Sequence, residues 1–414
     1  VNLSDRLNEG IKASADDGRR ARRTRPTTPF WTGWAAIALS LVAFLLALPP
    51  ILIRSFVPSL IVAAIAVGLA AYTIRAGEKR LGWIGVVGAI GCAFGAWGAT
   101  KSGVTNLEAV VSWGALAAAM LRYATPLTFA ALGGLVSERA GVVNLGLEGM
   151  MLMGAFFGAW GADATGSWVL GLACGVAAGM ALAVVHAVFS VSLRSDQIVS
   201  GTALNFVALG LTGYIYVDVF GTEGTPDNLA SVPNISLPID SLGFIGTALS
   251  NQNLLVWGSL VAVFVVWLLV FMTPMGLRLR SVGENPRAAE TVGVRVLTTR
   301  YLAVIASGGL AALGGAFLSI GFVHSFTQNM TAGRGFIALA ALIFGRWRPL
   351  GVLGATLLFG FSSALAQRLP AFSEQAATLF QALPYVLTLV AVAGLVGRST
   401  PPAADGVPYT REAH

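Results

Sequence analysis

The residues able to do chemistry in this chain are few, and they are concentrated. Ser137–Met151, SERAGVVNLGLEGMM, holds Glu138, Arg139, Asn144 and Glu148, interleaved with Gly141, Gly146 and Gly149 and flanked by apolar runs. Two readings of this stretch stand. It is a solvated turn with a salt bridge, or an interruption between two helix halves whose free N–H and C=O groups form sites for polar ligands. From Gly141 to Met151 the polar residues are isolated among apolar ones, which suits the buried interruption. Arg139 would then neutralise Glu138 or Glu148, leaving Asn144 to hydrogen-bond. A second stretch, GENPRAAETVGVRV (Gly283–Val296), places Asn285 before Pro286, an N-cap followed by the proline tolerated at a first helical position. The spacing predicts a short helix closed by Gly293, suited to docking a soluble partner; the plainer reading is a surface connector.

The elements that must position these residues belong to a membrane. The 414 residues are 56% hydrophobic and 11% charged, with mean hydropathy +0.76; soluble domains carry about 25% charged residues. Apolar runs long enough to span, at ~20 residues each, fall near 30–53, 56–74, 81–100, 107–136, 145–165, 167–193, 198–217, 253–273, 299–321, 334–346, 350–367 and 377–397. The fold class is therefore all-α and polytopic, with about 10–12 transmembrane helices, broken or halved near 137–151 and 334–346. Residues 1–29 form a basic cytoplasmic tail expected to be disordered, 30–398 the transmembrane domain and 399–414 a cytoplasmic tail. The 50 glycines, with patterns such as Gly171-x3-Gly175-x3-Gly179, fit close helix contact in a bilayer.

Charge gives orientation. Arg75, Lys79 and Arg80 mark one cytoplasmic turn, and loop 274–300 holds Arg278, Arg280, Arg287, Arg295 and Arg300. Loop 218–252 has no Lys or Arg but carries Asp218, Glu223, Asp227 and Asp240, which places it outside and both termini inside. The net charge of +7 sits largely in Arg6, Lys12, Arg19, Arg20, Arg22, Arg23 and Arg25, a topology signal with no aromatic-interleaved basic face for nucleic acid. Cys92 and Cys174 lie in apolar runs with no metal-ligand spacing. No catalytic constellation is present: GAWGATKS (Gly95–Ser102) misses a phosphate loop because Thr100 stands where the second glycine is needed.

Three stretches carry a family resemblance: ERAGVVNLGLEGMMLMGAFFGAW (138–160), GENPRAAETVGV (283–294) and GRGFIALAALIFGRWRPLGVLGATLLFG (333–360). With DQIVSGTALNFVALGLTGY (196–214), they cover the chain from about 120 to 397 in family order. The chain resembles a permease subunit of an ATP-binding-cassette importer serving branched-chain amino acids, simple sugars and nucleosides, closest to the nucleoside and simple sugar branch. The basic tail and the first two spans extend beyond that pattern.

The resemblance implies a second permease subunit, two cytoplasmic ATPase subunits that bind the ATP, an extracytoplasmic binding protein or lipoprotein, and a bacterial cell (inner) membrane. It implies no cofactor on this chain and no enzymatic activity of its own. It assigns ATPase coupling to Glu284, Asn285, Pro286, Ala288, Ala289 and Gly293, and puts 138–151 near the pathway. Candidate pathway residues are Asn144, Glu148, Gln197, Asn205 and Phe336, each a polar or aromatic group in an apolar span or at a helix break. Amides can bond nucleobase edges or ribose hydroxyls, and Phe336 can stack on a base. The alternative for each is interhelical hydrogen bonding or packing. His186 reads as a packed neutral histidine, Asp196 as a helix cap, and Arg346 and Arg348 around Trp347 as an interfacial anchor. The rival function, an ion-coupled secondary transporter of small polar solutes, requires acids deep in several spans; Glu148 is the main candidate. An ion channel would need a filter-like loop, and none is present.

Overall fold

Runs of Ala, Leu, Val and Gly in a lipid solvent must satisfy every backbone N–H and C=O within their own segment, and the helix does so. The computed structural model describes residues 28–46, 55–101, 112–221, 224–226, 229–368 and 400–410. The expected span at 377–397 and nearly all of the 1–29 tail lie outside those residues.

The described chain divides into two compact units, at Val111 and Ser112. The first contains α1 (Thr28–Leu45), α2 (Phe56–Arg75) and α3 (Lys79–Lys101), all mutually packed. Its seam is made of small residues: Ala36, Ser40 and Ala43 from α1, and Ser59, Ala63, Ala66 and Ala70 from α2. Bulky side chains such as Ile61, Ile65, Ile90 and Phe94 face outward. Small inside and large outside is the arrangement expected when lipid, not water, surrounds the helices.

The second unit contains α4 (Trp113–Arg139), α5 (Leu147–Thr165), α6 (Trp168–Ala187, ending in a π-helical turn over Val188–Ser192) and α7 (Gln197–Phe220). After a connection come β1 (Asn234–Ser236), α8 (Phe244–Leu249), β2 (Asn251–Asn253) and α9 (Leu254–Met272). The chain continues through α10 (Pro274–Glu284), α11 (Pro286–Thr291), α12 (Val296–Ala316, ending in a π-helical turn over Phe317–Val323), α13 (Arg334–Phe344) and α14 (Pro349–Arg368). The acidic loop 218–252 is not wholly irregular: β1 and β2 pair antiparallel, with Ile235 opposite Gln252. α4 and α12 form the centre. α5, α6 and α4 pack on α12, and α14, α13 and α9 pack on α4.

Among the described residues eight helices are long and apolar enough to cross a membrane, alongside the shorter apolar helices Leu81–Trp97 and Arg334–Phe344. α5 stands at the expected span 145–165, and α13 is the short helix expected at 334–346.

The predicted glycine contacts are close. A Cβ on Gly171 would lie 2.6 Å from the Gly158 carbonyl oxygen, and one on Gly175 would lie 2.6 Å from that of Gly154. At Gly315 a Cβ would collide with the Met151 carbonyl, whereas at Gly354 it would meet nothing. Gly315→Ala is therefore expected to lower stability by about 1–3 kcal/mol through overpacking. Gly354→Ala is expected to be neutral or stabilising by up to about 1 kcal/mol through helix propensity. Thermal unfolding of the detergent-solubilised variants checks the pair; equal melting temperatures would contradict the packing described.

Candidate functional site

The stretch at 137–151 is an interruption. α4 ends at Arg139, α5 starts at Leu147, and the chain between them is non-helical yet buried. Gly141 has φ +82°, and a Cβ there would meet the Ala404 carbonyl oxygen and Arg300 Nη2, each at 2.9 Å. Only glycine fits both the conformation and the space.

The groups freed by the break are met by side chains. Ser137 Oγ donates to the Val142 carbonyl at 2.6 Å. Gln197 Oε1 accepts from the Val143 N–H at 2.8 Å, and His186 Nε2 lies 3.1 Å from the Val143 carbonyl. Asn144, fully buried, accepts from the Gly146 N–H at 3.0 Å and donates to Ser307 Oγ at 2.9 Å. Asn205 spans the gap, donating to the Leu145 carbonyl at 2.9 Å and accepting from the Gly149 N–H at 2.7 Å. Three of the amides nominated as pathway residues are thus bonded to the main chain of the break. Asp196 caps α7, accepting from the N–H groups of Ile198 and Val199.

Glu148 joins two helix starts. It sits in the first turn of α5, and its carboxylate accepts from the Gly333 N–H at 2.7 Å and the Gly335 N–H at 2.5 Å, at the start of α13. A carboxylate suits that position because unpaired N–H groups and the helix dipole both favour negative charge. The approach to α13 is strained, with His324, Asn329 and Ala332 at φ 61°, 57° and 45°. One residue beyond Gly335, Phe336 is 46% exposed.

The expected ion pairing is different in the structure. Arg139 pairs with neither Glu138 nor Glu148. Its Nε and Nη2 donate to the Trp347 carbonyl at 3.1 and 2.7 Å, and its guanidinium lies over the Phe271 ring at 5.5 Å. Glu138 instead accepts from the Trp347 indole N–H at 2.5 Å. Of the expected interfacial anchor at 346–348, Trp347 is buried in the bundle while Arg346 and Arg348 are exposed. Arg300, expected among the loop cations, is buried in α12.

The predicted docking helix forms as α11. Asn285 Oδ1 caps it by accepting from the Ala288 N–H at 3.1 Å, Pro286 opens it, and Gly293 follows its end at φ +84°. Glu284, Asn285, Arg287 and Ala288 face outward, and Val292 is 77% exposed. Ala289 does not belong to that face: it is buried with Val282, Val296 and Tyr409. The helical period turns adjacent alanines about 100° apart, here one outward and one into the packing beneath, so a docking surface includes Ala288 and excludes Ala289.

Sequence reasoning missed what lies beneath. Residues 400–410, expected only as a tail, lie against α10, α11 and the break. The Ala404 N–H donates to the Gly283 carbonyl at 2.9 Å, Arg300 Nη1 donates to the Val407 carbonyl at 3.0 Å, and the Tyr409 hydroxyl donates to the Glu290 carboxylate. Polar, proline-containing sequence gives no periodic signal for such docking. Burial pushes the Asp405 carboxyl up to about 7, while the Gly406 N–H and Arg300 pull it down; Glu138 faces it from α4.

Two predictions follow from this geometry. Glu148→Gln weakens the hold on α13 and is expected to lower stability by about 1.5–3 kcal/mol, the range for hydrogen bonds to a charged group; thermal unfolding of the purified protein measures it. Because the docked Asp405 carboxyl stands above its ordinary 3.8, docking is fully supported below that value and weakens as pH rises through about 7. Protease cleavage within 400–410 is expected to be faster at about pH 8 than at about pH 6 in the native chain. Asp405→Asn, cut in parallel, is expected to lose most of that difference.

A family model described as the branched-chain amino acid transport system / permease component matches residues 116–392. The chain is 40% identical over 309 residues to the guanosine ABC transporter permease protein NupQ of Bacillus subtilis, covering 71% of this chain and 95% of that one. It is 39% identical over 307 residues to the nucleoside ABC transporter permease protein NupC of Lactococcus lactis, covering 72% and 96%. It is 42% identical over 255 residues to the putative glucose ABC transporter permease protein TsgC13 of Haloferax volcanii, covering 60% and 76%. No solved structure matches. Because the family match starts at residue 116, all three helices of the first unit precede it, one more than the resemblance suggested. The chain belongs to the branched-chain amino acid transport system permease family and is a permease subunit of an ATP-binding-cassette importer.

Proposed function

We propose that this subunit carries nucleosides, with simple sugars as the second substrate class. It works with two ATPase subunits that bind the ATP, a second permease subunit and an extracytoplasmic binding protein, in a bacterial cell membrane with both termini in the cytoplasm. The single observation that carries the nucleoside reading is 40% identity to a guanosine permease across 95% of that protein's length.

Within this reading, α13 is the half helix that borders the pathway and Phe336 is the side chain that meets the base. Its ring is exposed directly beyond the two N–H groups that Glu148 holds. Asn144, Gln197 and Asn205 act on substrate through the break, where each has hydrogen bonds to main chain, and Glu148 acts through the start of α13, whose N–H groups it holds. The ATPase docks on the outer face of α11 through Glu284, Asn285, Arg287, Ala288 and Val292. Pro286 and Gly293 shape that helix, and Ala289 anchors it from beneath.

The bonds of Glu148 to α13 also bear on the ion-coupled alternative, which needs a carboxylate free to take up and release an ion during transport. Uptake of guanosine into vesicles holding the complete transporter tests the choice. ATP-dependent uptake insensitive to an uncoupler is expected; uptake without ATP that collapses with an uncoupler would overturn the proposal. Phe336→Ala is expected to raise the half-saturating guanosine concentration roughly tenfold, in line with ~1–3 kcal/mol for an aromatic–base stack. Ala288→Glu is expected to leave the permease folded and to strip the ATPase during co-purification.

A further inference from the structure

Residues 400–410 touch both the element proposed to receive the ATPase and the interruption proposed to border the pathway. We infer that this segment is a strap that transmits movement of α11 to the helix break, an inference that rests on the reading of α11 as the ATPase dock. At one end, the Tyr409 ring is buried with Val282, Ala289 and Val296, and its hydroxyl holds Glu290 on α11. At the other, the Ala404 carbonyl stands where a side chain on Gly141 would go, and the Ala404 N–H is tied to Gly283 at the α10–α11 junction.

Between those ends the strap serves a buried cation. Arg300 is 1% exposed and donates Nη1 to the Val407 carbonyl, while its Nε and Nη2 have no hydrogen-bond partner among the described residues. Tyr409 lies under the same guanidinium, 6.0 Å from ring centre to Cζ, and Asp405 attracts it electrostatically. A buried charge that is not fully hydrogen-bonded is costly, so the strap that supplies its acceptor, ring and carboxyl is held in a defined place. Asp405 also faces Glu138, which holds the Trp347 indole, and the Trp347 carbonyl holds Arg139. The result is a contiguous physical network from α11 to the end of α4, of the kind that coupling between distant sites requires. Gly283 lies directly against the Arg139 carbonyl as well, so the strap reinforces a short contact with a longer lever.

The complete transporter, isolated from its host membranes through an N-terminal tag on this chain and returned to vesicles, gives the test. Three forms are compared: the native chain, a chain lacking 400–414, and Tyr409→Phe, which keeps the packing and removes the bond to Glu290. The readouts are ATPase co-purification, melting temperature, ATP hydrolysis and guanosine taken up per ATP hydrolysed. With the ATPase still bound and hydrolysing, uptake per ATP is expected to fall about fivefold or more on deletion, and in the same direction in Tyr409→Phe. Unchanged uptake per ATP in both variants overturns the strap. Loss of ATPase binding or of folding in Tyr409→Phe overturns it equally, because the segment would then be part of the dock or of the fold. Ala288→Glu separates the two readings: if the ATPase stays bound to that variant, the dock assignment on α11 has failed whatever the strap variants do.

Discussion

A helix interrupted inside a low-dielectric bundle leaves N–H and C=O groups with no partner along the chain, and their burial sets them apart from bulk water. Every feature around residues 140–146 answers that constraint. Ser137, His186, Gln197, Asn144 and Asn205 come from four different parts of the sequence, yet each meets a main-chain group of the break or its edge. Glu148 solves the same problem one step further on, at the start of α13. In hydrocarbon an unsatisfied backbone group costs several kcal/mol. The break therefore exists only because these side chains are in position, and their position fixes how α5, α6, α7 and α12 approach one another.

That approach depends on glycine. The side chains of Asn144 and Ser307 can meet at 2.9 Å because α5, α6 and α12 stand close enough for Gly154, Gly175, Gly179, Gly308 and Gly315 to face backbone directly. A larger residue at any of these contacts would separate the helices and with them the donors from their acceptors. Small residues and polar side chains are thus two halves of one arrangement. Dispersion between close backbones holds the helices, and the polar groups set where along their length the chain is allowed to stop being helical.

Much of this was legible in sequence, and the remainder was illegible for physical reasons. Length and apolarity identify the helices because lipid imposes both. Asn285-Pro286 and Gly293 located α11 because caps are local chemistry. The interruption at 137–151 showed as polar residues scattered among apolar ones. Partner choice did not show: Arg139 looks paired with Glu138, its neighbour in sequence, but a helix turns adjacent side chains about 100° apart. The two meet Trp347 instead, one at its carbonyl and the other at its indole. The split between Ala288 and Ala289 followed from the same periodicity and was missed by treating the pair as one surface. The docking of 400–410 had no sequence signal at all, because irregular backbone carries no period to read.

Charge placement then separates two kinds of polar residue in this subunit. The amides at the break bond to main chain and need no proton or ion to do so, which fixes its register. The ionisable groups, Glu138, Arg139, Arg300 and Asp405, collect at one end of the bundle beside α10 and α11. They are held by hydrogen bonds: Arg139 to the Trp347 carbonyl, Glu138 to the Trp347 indole and Arg300 to the Val407 carbonyl. Rings also pack beneath the guanidinium groups, Phe271 under Arg139 and Tyr409 under Arg300. The neutral hydrogen bonds thus hold the shape of the interruption, and the charged end ties that interruption to α10, α11 and residues 400–410.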